Sequence, residues 1–105
     1  MYRLTVCYGQ PSDPAAFDRY YAETHVPLVR QVPGLIGFTA SRCAALGPSE
    51  PAFYFVAALD FGTEADYRTA LGTPEMGKAG ADVANFATGG VTMVGQPVED
   101  LLAAG

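Results

Sequence analysis

One histidine stands among the 105 residues, and the side chains around it are those from which chemistry could be built. His25 follows Tyr21 by four residues and Tyr20 by five, and it precedes Pro27 by two. An imidazole changes charge near neutral pH, so it can serve as general base, general acid or hydrogen-bond donor to a substrate oxygen. A phenol one helical turn away can orient a carbonyl or stabilise an enolate, and Tyr21 is better placed for this than Tyr20. Pro27 has no backbone N–H and deprives the Glu23 carbonyl of its usual helical partner, so a kink or loosened backbone is expected there. The plainer roles are a capping or interface-filling histidine and tyrosines that pack on an amphipathic stripe.

Further candidates lie apart in sequence. Asp82 and Asn85 fall where the last helix meets Phe86. Asp82 could orient His25 across the mouth of a cleft, although a helix-end or turn hydrogen bond is the preferred reading for these residue types. Cys7 shares a strand face with Thr5 and Arg3 and can line the cleft, or simply pack there as a small residue. No base stands beside it in the sequence to activate it as a nucleophile. Tyr54 can face either the cleft or the helices.

These residues need elements to hold them. Residues 2–8 alternate, with Tyr2, Leu4, Val6 and Tyr8 on one face, and read as a strand. Asp13 and Pro14 suit the start of a helix over residues 14–31, whose apolar stripe runs through Phe17, Tyr21 and Leu28. At about 100° per residue, His25 falls roughly 60° from Leu28, at the edge of that stripe and the rim of a cleft. Pro33-Gly34 ends the helix. Residues 35–43 and 52–61 read as strands joined by the loop Ala44–Pro51. Thr63 with Asp66 opens a short helix, Thr73-Pro74-Glu75 opens another running to about Val83, and Gly89-Gly90 precedes a last strand from Val91 to Gly95. The order βαββαβ predicts an α+β, ferredoxin-like domain over residues 1–105, with a four-stranded antiparallel sheet. Both alternating sets of Phe53–Leu59 are apolar or aromatic, which predicts a strand covered on both faces and hence a homodimer.

The segment Phe17–Leu35, with Tyr20-Tyr21-Ala22-Glu23-Thr24-His25-Val26-Pro27 at its centre, resembles the signature of the EthD-like family of the dimeric α/β-barrel superfamily. The stretch Ala81–Met93 is similar to that family's ending, and Thr73-Pro74-Glu75 sits where the family places it. The likeness spans nearly the whole chain, with Ala44–Pro51 as its most variable part. It implies a ferredoxin-like fold paired face to face, and a ligand cleft between the sheet and the first helix. It implies no single reaction, since relatives include lactone isomerases and polyketide cyclases or dehydratases.

Composition removes other classes. The net charge is −5 with six scattered basic residues, which leaves no basic stripe for a nucleic acid and no attraction to an anionic membrane. Two cysteines outside any CxxC pair and one histidine make neither a disulfide framework nor a metal cluster. Gly89-Gly90 opens a strand rather than a helix, so no nucleotide fingerprint is present, and nothing beside His25 speaks for haem. Met1–Tyr8 is too short and mixed for a signal peptide, which points to the cytoplasm. The expectation is a cofactor-independent enzyme with His25 and Tyr21 as catalytic groups. Thr5, Cys7, Tyr20, Tyr54, Asp82, Asn85 and Phe86 would line the site of an apolar, oxygenated small molecule that is isomerised, cyclised or dehydrated. The alternative is a dimeric binding or accessory protein for a hydrophobic metabolite, for example beside an oxygenase system.

Overall fold

The computed structural model describes residues 1–103. Four strands, β1 (Tyr2–Tyr8), β2 (Leu35–Arg42), β3 (Phe55–Phe61) and β4 (Val91–Pro97), form one antiparallel sheet in the order β2-β3-β1-β4. This is the ferredoxin-like order, and the protein is of the α+β class. Helices α1 (Pro14–Tyr20), α2 (Val26–Val29), α3 (Glu64–Leu71) and α4 (Pro74–Asp82) supply the second layer. Each of the longer ones begins where a side chain takes an otherwise unpaired backbone N–H. Asp13 accepts from Ala16 at 3.1 Å, Thr63 from Asp66 at 3.0 Å and Thr73 from Met76 at 3.2 Å. Among the described residues no helix is long and apolar enough to cross a membrane.

The expected helix over residues 14–31 is not continuous. Between α1 and α2, Tyr21–His25 form a π-helical turn in which the Val26 N–H reaches back five residues to the Tyr21 carbonyl. The consequence is visible in what is buried: Phe17, Tyr21, His25 and Val29, a strict spacing of four. In a regular α-helix four residues overshoot a full turn by about 40°, so such a row drifts off the core. The wider turn cancels the drift. It swings His25 inward from the rim position of a uniform wheel, and it moves the core contact from Leu28 to Val29.

Alternation along β1 turns Leu4, Val6 and Tyr8 to the helices and Thr5 and Cys7 to the opposite face. Aromatic rings fill the layer between. Tyr8, Phe17, Tyr21, Phe55 and Phe86 stand mostly edge to face, with centroids 4.7–5.9 Å apart for the closest pairs. Such pairs are worth about 0.5–1.5 kcal/mol each beyond their buried area. The third strand begins at Phe55, later than the expected residue 52. Tyr54 and Phe55 both pack on Phe17, so two consecutive aromatics lie on the helix side. The double-sided apolarity read from Phe53–Leu59 is therefore corrected. The face away from the helices carries Val56, Ala58 and the Arg3–Asp60 ion pair, small and mixed rather than continuously apolar. β3 lies between β1 and β2, and Cys7 and Cys43 are both free.

The end of β1 and the approach to β4 touch backbone to backbone. The Gly9 N–H donates to the Gly90 carbonyl at 3.0 Å, and a Cβ on Gly89 would lie 2.2 Å from the Gln10 carbonyl oxygen. This contact places α1 against the Val83–Asn85 turn, and thereby the first helical segment against the last. Gly89→Ala should lower stability by about 1–3 kcal/mol or more in urea unfolding. Gly77→Ala, exposed in α4 with nothing within 4 Å of the added carbon, should leave stability unchanged or raise it by about 0.5–1 kcal/mol.

Candidate functional site

The π-turn delivers two polar rings to the interior. His25 is 4 % and Tyr21 5 % exposed, with ring centroids 5.2 Å apart. Phe86 lies against both, 4.8 Å from the imidazole and 5.8 Å from the phenol. A buried imidazole needs a partner, and α4 ends in one. His25 Nδ1 lies 2.9 Å from Asp82 Oδ2. The other carboxylate oxygen accepts from the Tyr20 hydroxyl at 2.5 Å and from the Asn85 amide at 3.1 Å.

Electrostatics decide the tautomer. Burial by itself pushes the Asp82 carboxyl up, but hydrogen bonds from Tyr20, His25 and Asn85 together hold it below the ordinary carboxylate range. An ionised carboxylate only accepts, so Nδ1 carries the proton and donates to it. The other ring nitrogen, Nε2, has no partner among the described residues. His25 lines a cavity and Asp82 does not, so the free edge of the imidazole is the edge that faces the cavity.

That cavity measures about 330 Å³ and lies between the sheet and the helices. Leu4, Val6 and Leu59 form its floor, Val29 and Val83 its walls. Leu71 and Met93, 46 % and 45 % exposed, mark its mouth between the end of α3 and β4. Its volume is at the lower end of the range for small-molecule sites, about 300–1,000 Å³.

Of the residues singled out in the sequence, His25 and Tyr21 line this cavity. Asp82 stands directly behind His25, where it makes the long-range contact together with a local one, from the Asn85 amide three residues on. Tyr20 and Asn85 stand behind Asp82. With Phe86 they face a separate groove of about 180 Å³ beside Ser12 and Thr88. Thr5 and Cys7 are corrected. They point to the other side of the sheet, where Thr5 hydrogen-bonds the Gln96 side chain at 2.6 Å. Tyr54 is also outside the cavity, since it packs edge-on to Phe17 and donates to Asp18 at 2.8 Å. Sequence reasoning missed Tyr8. It was assigned only to a strand face, although it ends the one apolar set that must look toward the His25 layer.

Comparison with known proteins agrees with this architecture. The EthD domain matches residues 9–90. An uncharacterised 11.0 kDa protein encoded in the thcB–thcC intergenic region of Rhodococcus erythropolis is 47 % identical over 102 residues, which cover 97 % of this chain and 99 % of that protein. The crystal structure of an ethyl tert-butyl ether D family protein from Bacillus halodurans superposes with a TM-score of 0.88 at 30 % identity, over 94 % of this chain and 99 % of the other. A dimeric ferredoxin-like protein of unknown function from Thermobifida fusca shares the fold, with a TM-score of 0.69 at 14 % identity over 92 % and 90 % of the two chains.

The network behind His25 can be tested through stability. Asn at position 82 has one acceptor oxygen and would set an N–H₂ against a donor. Asp82→Asn should therefore cost about 1–3 kcal/mol in denaturant unfolding. Because the folded-state pKa of Asp82 is depressed, its contribution is fully present above about pH 4, the ordinary carboxylate range, and is lost as pH falls through the lowered value. The gap between wild type and variant should close in acidic solution, as pH falls through the lowered Asp82 value.

Proposed function

The chain belongs to the EthD family, and from that premise we propose that it binds a small, largely apolar, oxygenated molecule and rearranges it by proton transfer at His25 without a cofactor. The observation that carries this reading is the pairing of His25 Nδ1 with a buried, ionised Asp82 while Nε2 faces an apolar cavity. Asp82 holds the ring in the tautomer whose lone pair points at the ligand, and its charge favours the imidazolium that forms when a proton is taken.

In the reaction a C–H bond next to a carbonyl breaks, and its proton goes to Nε2. The electron pair moves to the carbonyl oxygen, where the Tyr21 hydroxyl donates a hydrogen bond. Burial pushes that phenol's pKa up, so it stays a donor at neutral pH. The imidazolium then returns the proton to another carbon in an isomerisation, or to a departing oxygen in a dehydration or cyclisation. An apolar wall keeps water from competing for either proton.

The active form in this reading is a homodimer paired through the sheet face that the helices leave uncovered. Supporting it are Val94, an exposed apolar side chain of β4 that pairs with Thr5 on that face, and the shared fold of the dimeric protein from Thermobifida fusca. Light scattering at low micromolar concentration should give twice the 11.0 kDa of the chain. A well-folded monomer would remove the dimer from the account.

His25→Gln tests the chemistry. It retains a donor for Asp82 but cannot carry a proton near neutral pH. His25→Ala is less clean, because it empties a buried position and costs about 2–4 kcal/mol through the hole and the unpaired carboxylate. With one- and two-ring ketones such as 2-tetralone in D₂O, the wild type should catalyse exchange of the α-hydrogens, followed by NMR. His25→Gln should slow this by about 100-fold or more while binding falls only modestly. A protein that binds these ketones and exchanges none of them is a binding module, and the enzyme reading is then wrong.

A further inference from the structure

The cavity wall holds a second phenol that the reading above does not use. Tyr8 ends β1 on the helix-facing side and is 1 % exposed. Its ring stands edge-on to Tyr21, with centroids 5.8 Å apart, and 5.4 Å from Phe86. Tyr8, Tyr21 and His25 all line the cavity. Among the described residues, neither hydroxyl nor the imidazole Nε2 has a hydrogen-bond partner. Buried tyrosine hydroxyls usually find one, because an interior donor left unmade is costly. The three groups open onto the same cavity, where one ligand atom or more can meet them.

Their chemistry restricts that ligand. Burial, with the Tyr21 phenol and the Asp82 carboxylate nearby, pushes the Tyr8 phenol up, so it remains protonated and donates. Tyr21 is likewise a donor, and Nε2 with Nδ1 protonated is an acceptor. Apart from the Tyr67 phenol, the rest of the wall is aliphatic, thioether or glycine, and no lysine or arginine lines it. Asp82 places a negative charge just behind the imidazole. A carboxylate or phosphate ligand would therefore be buried without a cation and against a like charge.

We infer that Tyr8 and Tyr21 together form a two-hydroxyl clamp for a single ligand oxygen, and that the site selects uncharged ketones, enones or phenols of one or two rings over acids of the same size. The clamp rests on the proton-transfer reading for its catalytic use, though not for its binding. When Nε2 takes the proton from the α-carbon and the electron pair reaches oxygen, both hydroxyls face the charge that develops there. Neither phenol gives up its proton, and the electron and proton count closes when His25 returns the proton to the product. Tyr8 thus contributes an oxyanion donor alongside Tyr21.

The test uses 2-naphthol, naphthalene and 2-naphthoate as probes, with affinities from fluorescence titration. Naphthol offers an oxygen for the two hydroxyls and an O–H for Nε2. The wild type should bind 2-naphthol at least tenfold more tightly than naphthalene, and 2-naphthoate more weakly than either. Tyr8→Phe and Tyr21→Phe should each lose about tenfold for 2-naphthol, the size of one hydrogen bond, and leave naphthalene unchanged. Unchanged naphthalene binding shows that the cavity survives in the variant. Equal affinity for naphthol and naphthalene in the wild type would overturn the clamp. So would naphthol affinity insensitive to Tyr8→Phe, tight binding of naphthoate, or no binding of either neutral probe. Exchange of 2-tetralone hydrogens separates the two claims. If exchange is absent while the Tyr8-dependent preference for naphthol persists, the clamp stands and the proton shuttle falls.

Discussion

A histidine ring enclosed by aromatic side chains must satisfy its nitrogens or destabilise the layer that encloses it. Here one nitrogen is satisfied within the protein, by Asp82 at 2.9 Å, and the other is left toward a cavity. The contact joins residues 57 apart in sequence, so it ties the first helical segment to the last helix across the sheet. Tyr20 and Asn85 complete the carboxylate, and Phe86 stacks on Tyr20 while touching His25. Removing His25 or Asp82 leaves the other buried without its partner, which ties the two into a unit. The reactive edge of the imidazole is a by-product of the same arrangement: once Nδ1 is committed, Nε2 has nowhere to go but the cavity.

The backbone makes this possible through a local departure from regularity. A regular α-helix could not keep Phe17, Tyr21, His25 and Val29 in one line, and His25 would drift to the rim. The π-turn holds the line, and it occurs two residues before Pro27, where the helix already lacks an N–H donor. The cost of the irregular turn is offset by burying Tyr21 and Val29 on the sheet. Structure and candidate chemistry thus have one cause, the insertion that turns the imidazole inward.

Much of the fold was legible because it depends on local rules. Alternation along Tyr2–Tyr8, the caps Asp13, Thr63 and Thr73, and the glycines before β4 each mark an element at short range. What was not legible depends on departures from uniform geometry or on distance along the chain. A wheel at constant pitch puts His25 at an edge and Leu28 in the core, and only the spacing of four together with Pro27 hints otherwise. Asp82 carries an ordinary turn-residue signal, and nothing local tells that its carboxylate crosses to another helix. Thr5 and Cys7 were assigned to the wrong face of the sheet, although the apolar set Leu4, Val6 and Tyr8 had the better claim to the helix side. Tyr54 and Phe55 misled for a different reason: a late strand start puts neighbours in sequence on the same face, which alternation alone does not anticipate.

The account turns on one tautomer. Nitrogen-15 NMR of the imidazole, recorded at a pH where the ring is neutral, reads the two nitrogens separately. The prediction is a protonated Nδ1 whose signal is lost from its place in Asp82→Asn, and an unprotonated Nε2 that shifts when 2-naphthol is added. A proton found on Nε2 with Nδ1 bare, or a ring whose nitrogens are indifferent to both changes, would contradict the arrangement on which the rest of the site depends.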